Sequence, residues 1–413
     1  MDSISQIFLL ESTKKKDRVE TIQLSQKETP TDERANPAEL EDAYINDAIV
    51  NNGINKAVSI MTSADFNIEG SDESVNVIQD FLDGIGKNGG NNDWYTLREI
   101  ILKHQLVYGP AFTEIIYNVK KDHILDLEFV NPKSMDYAKD GSGNIIMDSF
   151  SRPIGFVQTL SNNFSNGLPK SDNAPKDVDL NNKIFFANDR IAHFKLNEIG
   201  DGFYPIGWIE PIVKVSKWKR IMFEALSNVY YHTAFPIKYW QVGDPSHEPT
   251  SDLLKRTSDK LKNADYRSSF AVPYYVKPGI LEASNTDKLK EHLKQFIDAE
   301  VTSLGPKGLV TGSGEQSNKS ILTRQEFLYK LSLRDILERT GKTIENQIFA
   351  KIAELENLSD VPKIKWGKLN LEELDAKSDR LSAYAKAGLL TPDPELETII
   401  RKFEGLPVIK NGK

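Results

Sequence analysis

The chain contains six histidines, no cysteine, 52 lysines and arginines and 60 aspartates and glutamates. The histidines, His104, His123, His193, His232, His247 and His292, stand far apart in sequence. No H-E-x-x-H, H-x-E or G-x-S-x-G pattern is present, so the signatures of zinc peptidases, deaminases and serine hydrolases are missing. His193 lies in the alternating segment Ile191-Ala-His-Phe-Lys-Leu196, where a satisfied structural histidine is expected. A nuclease or phosphodiesterase using His193 with scattered acids is the enzymatic alternative. The absence of cysteine excludes disulfide scaffolds, thiolate zinc sites, iron–sulfur clusters and cysteine nucleophiles. No catalytic residue, cofactor or metal ligand set is assigned.

The stretch Leu304-Gly-Pro-Lys-Gly-Leu-Val-Thr-Gly-Ser-Gly-Glu-Gln-Ser-Asn-Lys-Ser320 invites a nucleotide-binding reading. A phosphate-cradling loop ending in Lys319-Ser320 needs glycine at positions 313 and 318, and these are Ser313 and Asn318. Without those glycines the backbone cannot wrap a pyrophosphate closely. A glycine-rich loop between two helices is expected instead, with Lys307 and Lys319 as its cations. A third cluster, Lys214, Lys217, Lys219 and Arg220, reads as a solvated helix face or a nucleic-acid contact.

The elements that must position these residues follow from periodicity. Residues 1 to about 40 are polar and charged and read as an arm. Helical spacing begins near Leu40, with a break expected at Asn51-Asn52-Gly53. Further helices are expected near Ser74–Leu82 and after Asp93, a candidate N-cap. The period then changes to two, giving strands over 111–117 and 123–130, the latter with Leu125, Leu127 and Phe129 on one face. A hairpin turn is expected at Lys139–Asn144, and strands at 153–160, 183–187 and 190–196. Residues 161–182 read as a surface loop. A long helix over 208–234 leads to a strand at 237–242, a helix at 251–262 and a strand at 270–276 closed by Pro278-Gly279. A helix over 286–302, a long helix over 323–356, a strand at 361–369 and a helical tail over 371–403 complete the order.

With 413 residues, 39% hydrophobic and 27% charged, the chain is ordinary globular material for two or three compact units. No uncharged apolar run approaches the roughly 18 residues of a membrane helix, and the N-terminus does not read as a secretory signal. A net charge of −8 argues against a protein that coats nucleic acid by counterion release.

An α+β unit whose long helix delivers a small strand–helix–strand module, and a second helix that returns from it, resembles the portal proteins of tailed bacteriophages. The likeness rests on Val107-Tyr-Gly-Pro-Ala-Phe-Thr-Glu-Ile-Ile-Tyr117, Leu127-Glu-Phe-Val-Asn-Pro-Lys-Ser134, Arg190-Ile-Ala-His-Phe-Lys195 and Gly202-Phe-Tyr-Pro-Ile-Gly207 before the long helix. Arg339-Thr-Gly-Lys-Thr-Ile-Glu-Asn-Gln-Ile348, Val361-Pro-Lys-Ile-Lys-Trp366, Gly388-Leu-Leu-Thr391 and Gly405-Leu-Pro407 are similar to the subgroup of Mu-like phages.

The resemblance implies an α+β portal-like fold and a division of labour. It makes residues 1–40 an N-terminal arm, 41–205 with 361–369 a wing, and 206–235 and 284–303 stem helices. It makes 236–283 a clip, 304–320 a tunnel loop, 321–360 a long helix and 370–413 a C-terminal crown. Lys307, Gly308, Gly312, Gly314 and Lys319 would then face the DNA channel. Lys214, Lys217 and Arg220 would touch DNA or a neighbouring subunit, and Tyr239, Trp240, Tyr274 and Tyr275 would meet clip partners. Implied further are a ring of about twelve copies at a capsid vertex, no catalysis, and passage of double-stranded DNA. The implied partners are terminase, a head–tail adaptor and the major capsid protein, within a virion assembled in host cytoplasm. A minor head or tail adaptor protein is the structural alternative.

Overall fold

The computed structural model describes residues 35–87, 90, 92–159, 174–176, 178, 180, 183–199, 203–234, 237–243, 246, 248–262, 276–281, 286–311, 319–367, 369 and 382–387. The chain divides into two units, Met1–Asn36 and Pro37–Lys413. The arm expected over 1–40 therefore lies largely outside the described residues, and its last four positions already belong to a helix.

Helix α1 (Pro37–Asn46) is separated from α2 (Ala48–Thr62) by Asp47, whose carboxylate caps α2 by accepting from Ile49 N at 3.0 Å and Val50 N at 3.4 Å. The break expected at Asn51-Asn52-Gly53 is thus wrong by one turn. Those residues continue α2 because the asparagine side chains find partners outside their own backbone, Asn51 donating to Tyr44 O and Asn52 to Val310 O. Gly53 is buried against Leu304, which a Cβ would meet at 3.1 Å. After β1 (Phe66–Glu69) come α3 (Asp72–Gly84) and α4 (Trp94–Tyr108), and Asp93 caps α4 as expected, accepting from Thr96 N at 2.8 Å.

Gly109 ends α4 with φ +94°, a conformation that favours glycine, and leads into β2 (Pro110–Tyr117). Strand β2 is central, with β3 (Ile124–Val130) on one side and β7 (Ile191–Lys195) on the other, all antiparallel. The register shifts between Ile116, opposite Asp126, and Tyr117, opposite Ile124, and at this bulge Leu125 is exposed rather than sharing the buried face of Leu127. A second sheet runs β4 (Met135–Tyr137), β5 (Gly155–Thr159), β6 (Lys183–Ala187). The turn expected at Lys139–Asn144 is present, closed by Asp140 N to Asn144 O at 2.9 Å with Gly143 at φ +89°. Phe112, Met135, Tyr137, Phe156, Phe186 and Ile191 join both sheets in one core, and α4 packs on the first sheet.

A 3-10 turn, Glu210–Ile212, opens α5 (Val213–Ala234). Then come β8 (Ile237–Val242), α6 (Ser251–Lys262), β9 (Val276–Leu281) and α7 (Thr286–Leu304). Strand β9 begins where a strand was expected to end, and it includes Pro278-Gly279. Among the described residues β9 pairs with β8 alone, and a proline without an N–H is tolerated at such an edge. Residues 270–275 lie outside the described residues, as does most of the loop expected over 161–182.

Helix α8 (Lys307–Thr311) occupies the first part of the glycine-rich stretch. Helix α9 (Lys319–Ile344) starts four residues earlier than expected and runs through a π-helical turn, Glu345–Phe349, into α10 (Ala350–Leu355). The π turn aims two side chains at strands. Glu345 accepts from Ile364 N at 2.7 Å, and Gln347 accepts from His193 N at 2.8 Å. Strand β10 (Lys363–Trp366) pairs with β1, from Phe66 opposite Trp366 to Glu69 opposite Lys363. Of the expected tail, residues 382–387 are described and carry one helical turn.

Candidate functional site

Helices α5 and α7 lie along each other. Lys219 reaches Glu300, whereas Lys290 lies 5.8 Å from the Tyr230 ring, so the two helices are antiparallel. On α5 the buried residues include Ser216, Lys219 and Leu226, which continue at helical steps from Ile212 of the preceding 3-10 turn. On α7 they include Leu293, Glu300, Val301 and Leu304. Two charged residues of opposite sign therefore sit within apolar stripes and face each other.

Lys219 also donates to Asp47 at 2.6 Å, and Ser216 Oγ donates to the same carboxylate at 2.6 Å. Side-chain exposure is 5% for Lys219 and zero for Asp47 and Glu300. One ammonium thus bolts α5 and α7 to the N-terminus of α2. Burial alone would raise the Asp47 pKa, but bonds from Lys219, Ser216 and the backbone hold it below the usual range. Burial pushes Glu300 up to about 7 against the Lys219 bond, and its Oε1 has no hydrogen-bond partner.

The cation run on α5 is therefore not one face. Lys219 is interior, Arg220 pairs with Asp42 of α1, and Lys214 and Lys217 are exposed. Trp218, Phe223, Tyr230 and Tyr231 of α5 are also exposed, as are Phe327, Leu328 and Leu331 of α9.

The glycine-rich stretch is not a loop throughout. Val310 is buried, Asn52 of α2 binds its carbonyl, and α8 packs on α2 and α7. Gly308 is within that helix, and Lys307 lies 3.8 Å from Asp298 of α7. Lys319 is the first residue of α9, while Gly312 and Gly314 lie outside the described residues. Tyr239 and Trp240 lie on β8, with Trp240 half-buried and opposite Pro278. Tyr274 and Tyr275 lie outside the described residues.

His193 is a core residue, stacked on Phe112 with ring centroids 4.5 Å apart. Burial drives its pKa down to about 3, with Lys195 adding to the effect, so the ring is neutral at ordinary pH. Its Nδ1 lies 3.4 Å from the Tyr137 hydroxyl, and its Nε2 has no hydrogen-bond partner. The expectation of a structural histidine holds for its position, and that of a fully satisfied one does not.

Asp47, Ser216 and Glu300 escaped sequence reasoning. The readable signal was Glu300 at a position continuing the Leu293, Ile297, Val301 stripe, and Lys219 three residues after Ser216 on the buried side of α5.

No protein-family model matches the chain, and no curated protein does. Solved structures do. A chain in the neck of an empty gene transfer agent particle, computed with C6 symmetry, superposes with a TM-score of 0.61 at 12% identity, covering 91% of this chain and 94% of that one. A chain in the neck of the native particle, computed with C12 symmetry, gives 0.59 at 13% identity over 90% and 94%. An HK97 family phage portal protein from Corynebacterium diphtheriae gives 0.47 at 9% identity over 79% and 95%. At these identities the likeness is one of fold. The chain has an α+β fold, shared along about nine-tenths of its length with chains in the neck of a gene transfer agent particle.

Proposed function

We propose that this chain is a portal subunit, forming a ring of about twelve copies at one capsid vertex through which double-stranded DNA is packaged, retained and ejected. The fold shared with chains of a C12-symmetric particle neck over nine-tenths of the length carries the reading. The exposed aromatic and aliphatic residues on α5 and α9 support it, because neighbouring copies in a closed ring would cover them. In this reading the protein is a virion component assembled in host cytoplasm and makes and breaks no bonds. The β8–α6–β9 module is the clip that meets terminase and the head–tail adaptor, the wing faces the major capsid protein, and the sequence likeness points to the Mu-like subgroup.

A net charge of −8 per copy suits a conduit, since each phosphate neutralised by a cation adds affinity that slows passage. Lys214 and Lys217 are the exposed stem cations available for local contact. Native mass measurement of the purified chain is expected to give rings near twelve copies, and a clean monomer at micromolar concentration overturns the proposal.

The tunnel loop, in this reading, is narrower than 304–320. Deleting residues 312–318 is expected to leave ring assembly intact and to impair DNA packaging or retention. A deletion that reaches into α8 should in addition destabilise the subunit, because it removes the buried Val310. Normal packaged genome length after deletion of 312–318 rules out the channel role.

A further inference from the structure

A cleft of about 290 Å³ opens between the two sheets of the wing and the π turn after α9. Tyr137, Phe156 and Phe203 supply apolar wall, and His193 and Lys351 line it with Lys195 and Arg152. Among the described residues, no acidic side chain lines it.

Two of its groups lack the partners that burial normally demands. His193 is 7% exposed, and its Nε2 has no hydrogen-bond partner. A buried polar atom left unpaired is costly unless something meets it. Lys351 is half-buried, and its ammonium donates to the backbone carbonyl of Asp189 at 2.6 Å, with no carboxylate ion pair among the described residues. Burial depresses its pKa, against the attraction of the nearby Asp189 charge. The other two cations are answered at the rim, Lys195 by Glu198 at 2.8 Å and Arg152 by Asp148 at 3.0 Å.

The histidine is also held in place. Gln347 accepts from His193 N, Phe112 stacks on the ring, and the Tyr137 hydroxyl lies beside Nδ1. When Tyr137 donates to Nδ1, the neutral ring carries its proton on Nε2 and presents a donor.

We propose that this cleft binds a small organic anion, a carboxylate carried on an aromatic or branched apolar body. The acid group meets Lys351 and His193 Nε2–H, and the body lies against Tyr137, Phe156 and Phe203. A cavity of this size has room for such a molecule and little more. The inference stands independently of the portal reading, since it uses only residues of one subunit.

Titration calorimetry of the full chain with benzoate tests it, with benzamide and sulfate as comparisons. Benzoate is expected to bind saturably, and benzamide, which lacks the charge, about tenfold or more weaker. Lys351→Met and His193→Phe should each weaken benzoate by a similar factor. Lys351 is at the rim, so its variant keeps the test decisive if His193→Phe does not fold. Absence of saturable benzoate binding at millimolar concentration overturns the proposal. So does sulfate binding as well as benzoate, or an unchanged affinity in Lys351→Met.

Discussion

Lys219→Met is expected to lower the free energy of unfolding by about 3–5 kcal/mol, the cost of stripping a buried charge of its partner. The substitution keeps the length of the side chain but leaves Asp47 and Glu300 facing each other without a cation. Urea unfolding of the purified chain measures it, and a loss under about 1 kcal/mol contradicts the joint described above. Adding Glu300→Leu to Lys219→Met should restore much of the loss, because an apolar side chain fits the stripe that Glu300 interrupts. The same cluster has a pH signature. A carboxyl raised to about 7 stabilises the fold fully below its ordinary 4.5 and loses that contribution as pH rises through about 7. Buried His193 and His104, lowered to about 3 and about 4, act in the opposite sense below 6.5. The clean reading is therefore a difference: Glu300→Gln should gain stability relative to the parent as pH rises from 5 to 7.5. A difference that is flat with pH removes the raised Glu300 from the account.

Gly109→Ala is expected to cost about 3 kcal/mol, through strain and a clash that cannot relax easily. An added Cβ would stand 2.2 Å from Pro205 O and 2.9 Å from Gly207 N, all backbone, at φ +94°. The segment that feeds α5 crosses the α4–β2 junction there, tied by Trp208 N to Leu106 O at 2.7 Å. Melting of Gly109→Ala against Gly141→Ala checks this, since a Cβ at Gly141 meets nothing within 4 Å. Equal melting points for the two variants would refute the crossing.

Local signals were readable wherever one side chain settles one backbone event. Asp93 capped α4, Gly143 turned the hairpin, and the period of two located β2, β6 and β7. Errors came where a distant partner overrode local preference. Asn52 stays helical because Val310 accepts from it, more than two hundred residues away in sequence. Pro278 sits inside a strand because only one neighbour pairs with it. Strand β1 was invisible, since Phe66-Asn-Ile-Glu69 is too short to show a period and exists through β10. The Lys219 cluster was half legible: the residues stood out of their stripes, but which acids they met depends on how three helices pack. The cleft between the two sheets and the π turn was not legible, because its lining comes from strands and a π turn that no spacing rule connects.

The pairing of Phe66–Glu69 with Lys363–Trp366 has a consequence for how the molecule is made. During synthesis the first of these strands waits with an unpaired edge until Lys363–Trp366 has left the ribosome, and Arg98, stacked at 5.8 Å on Trp366, waits with it. Contacts this distant in sequence close slowly, and open edges invite association while they wait. A truncated product lacking Trp366 is accordingly expected to be sticky and dependent on chaperones, while the completed chain seals itself in a late, cooperative step.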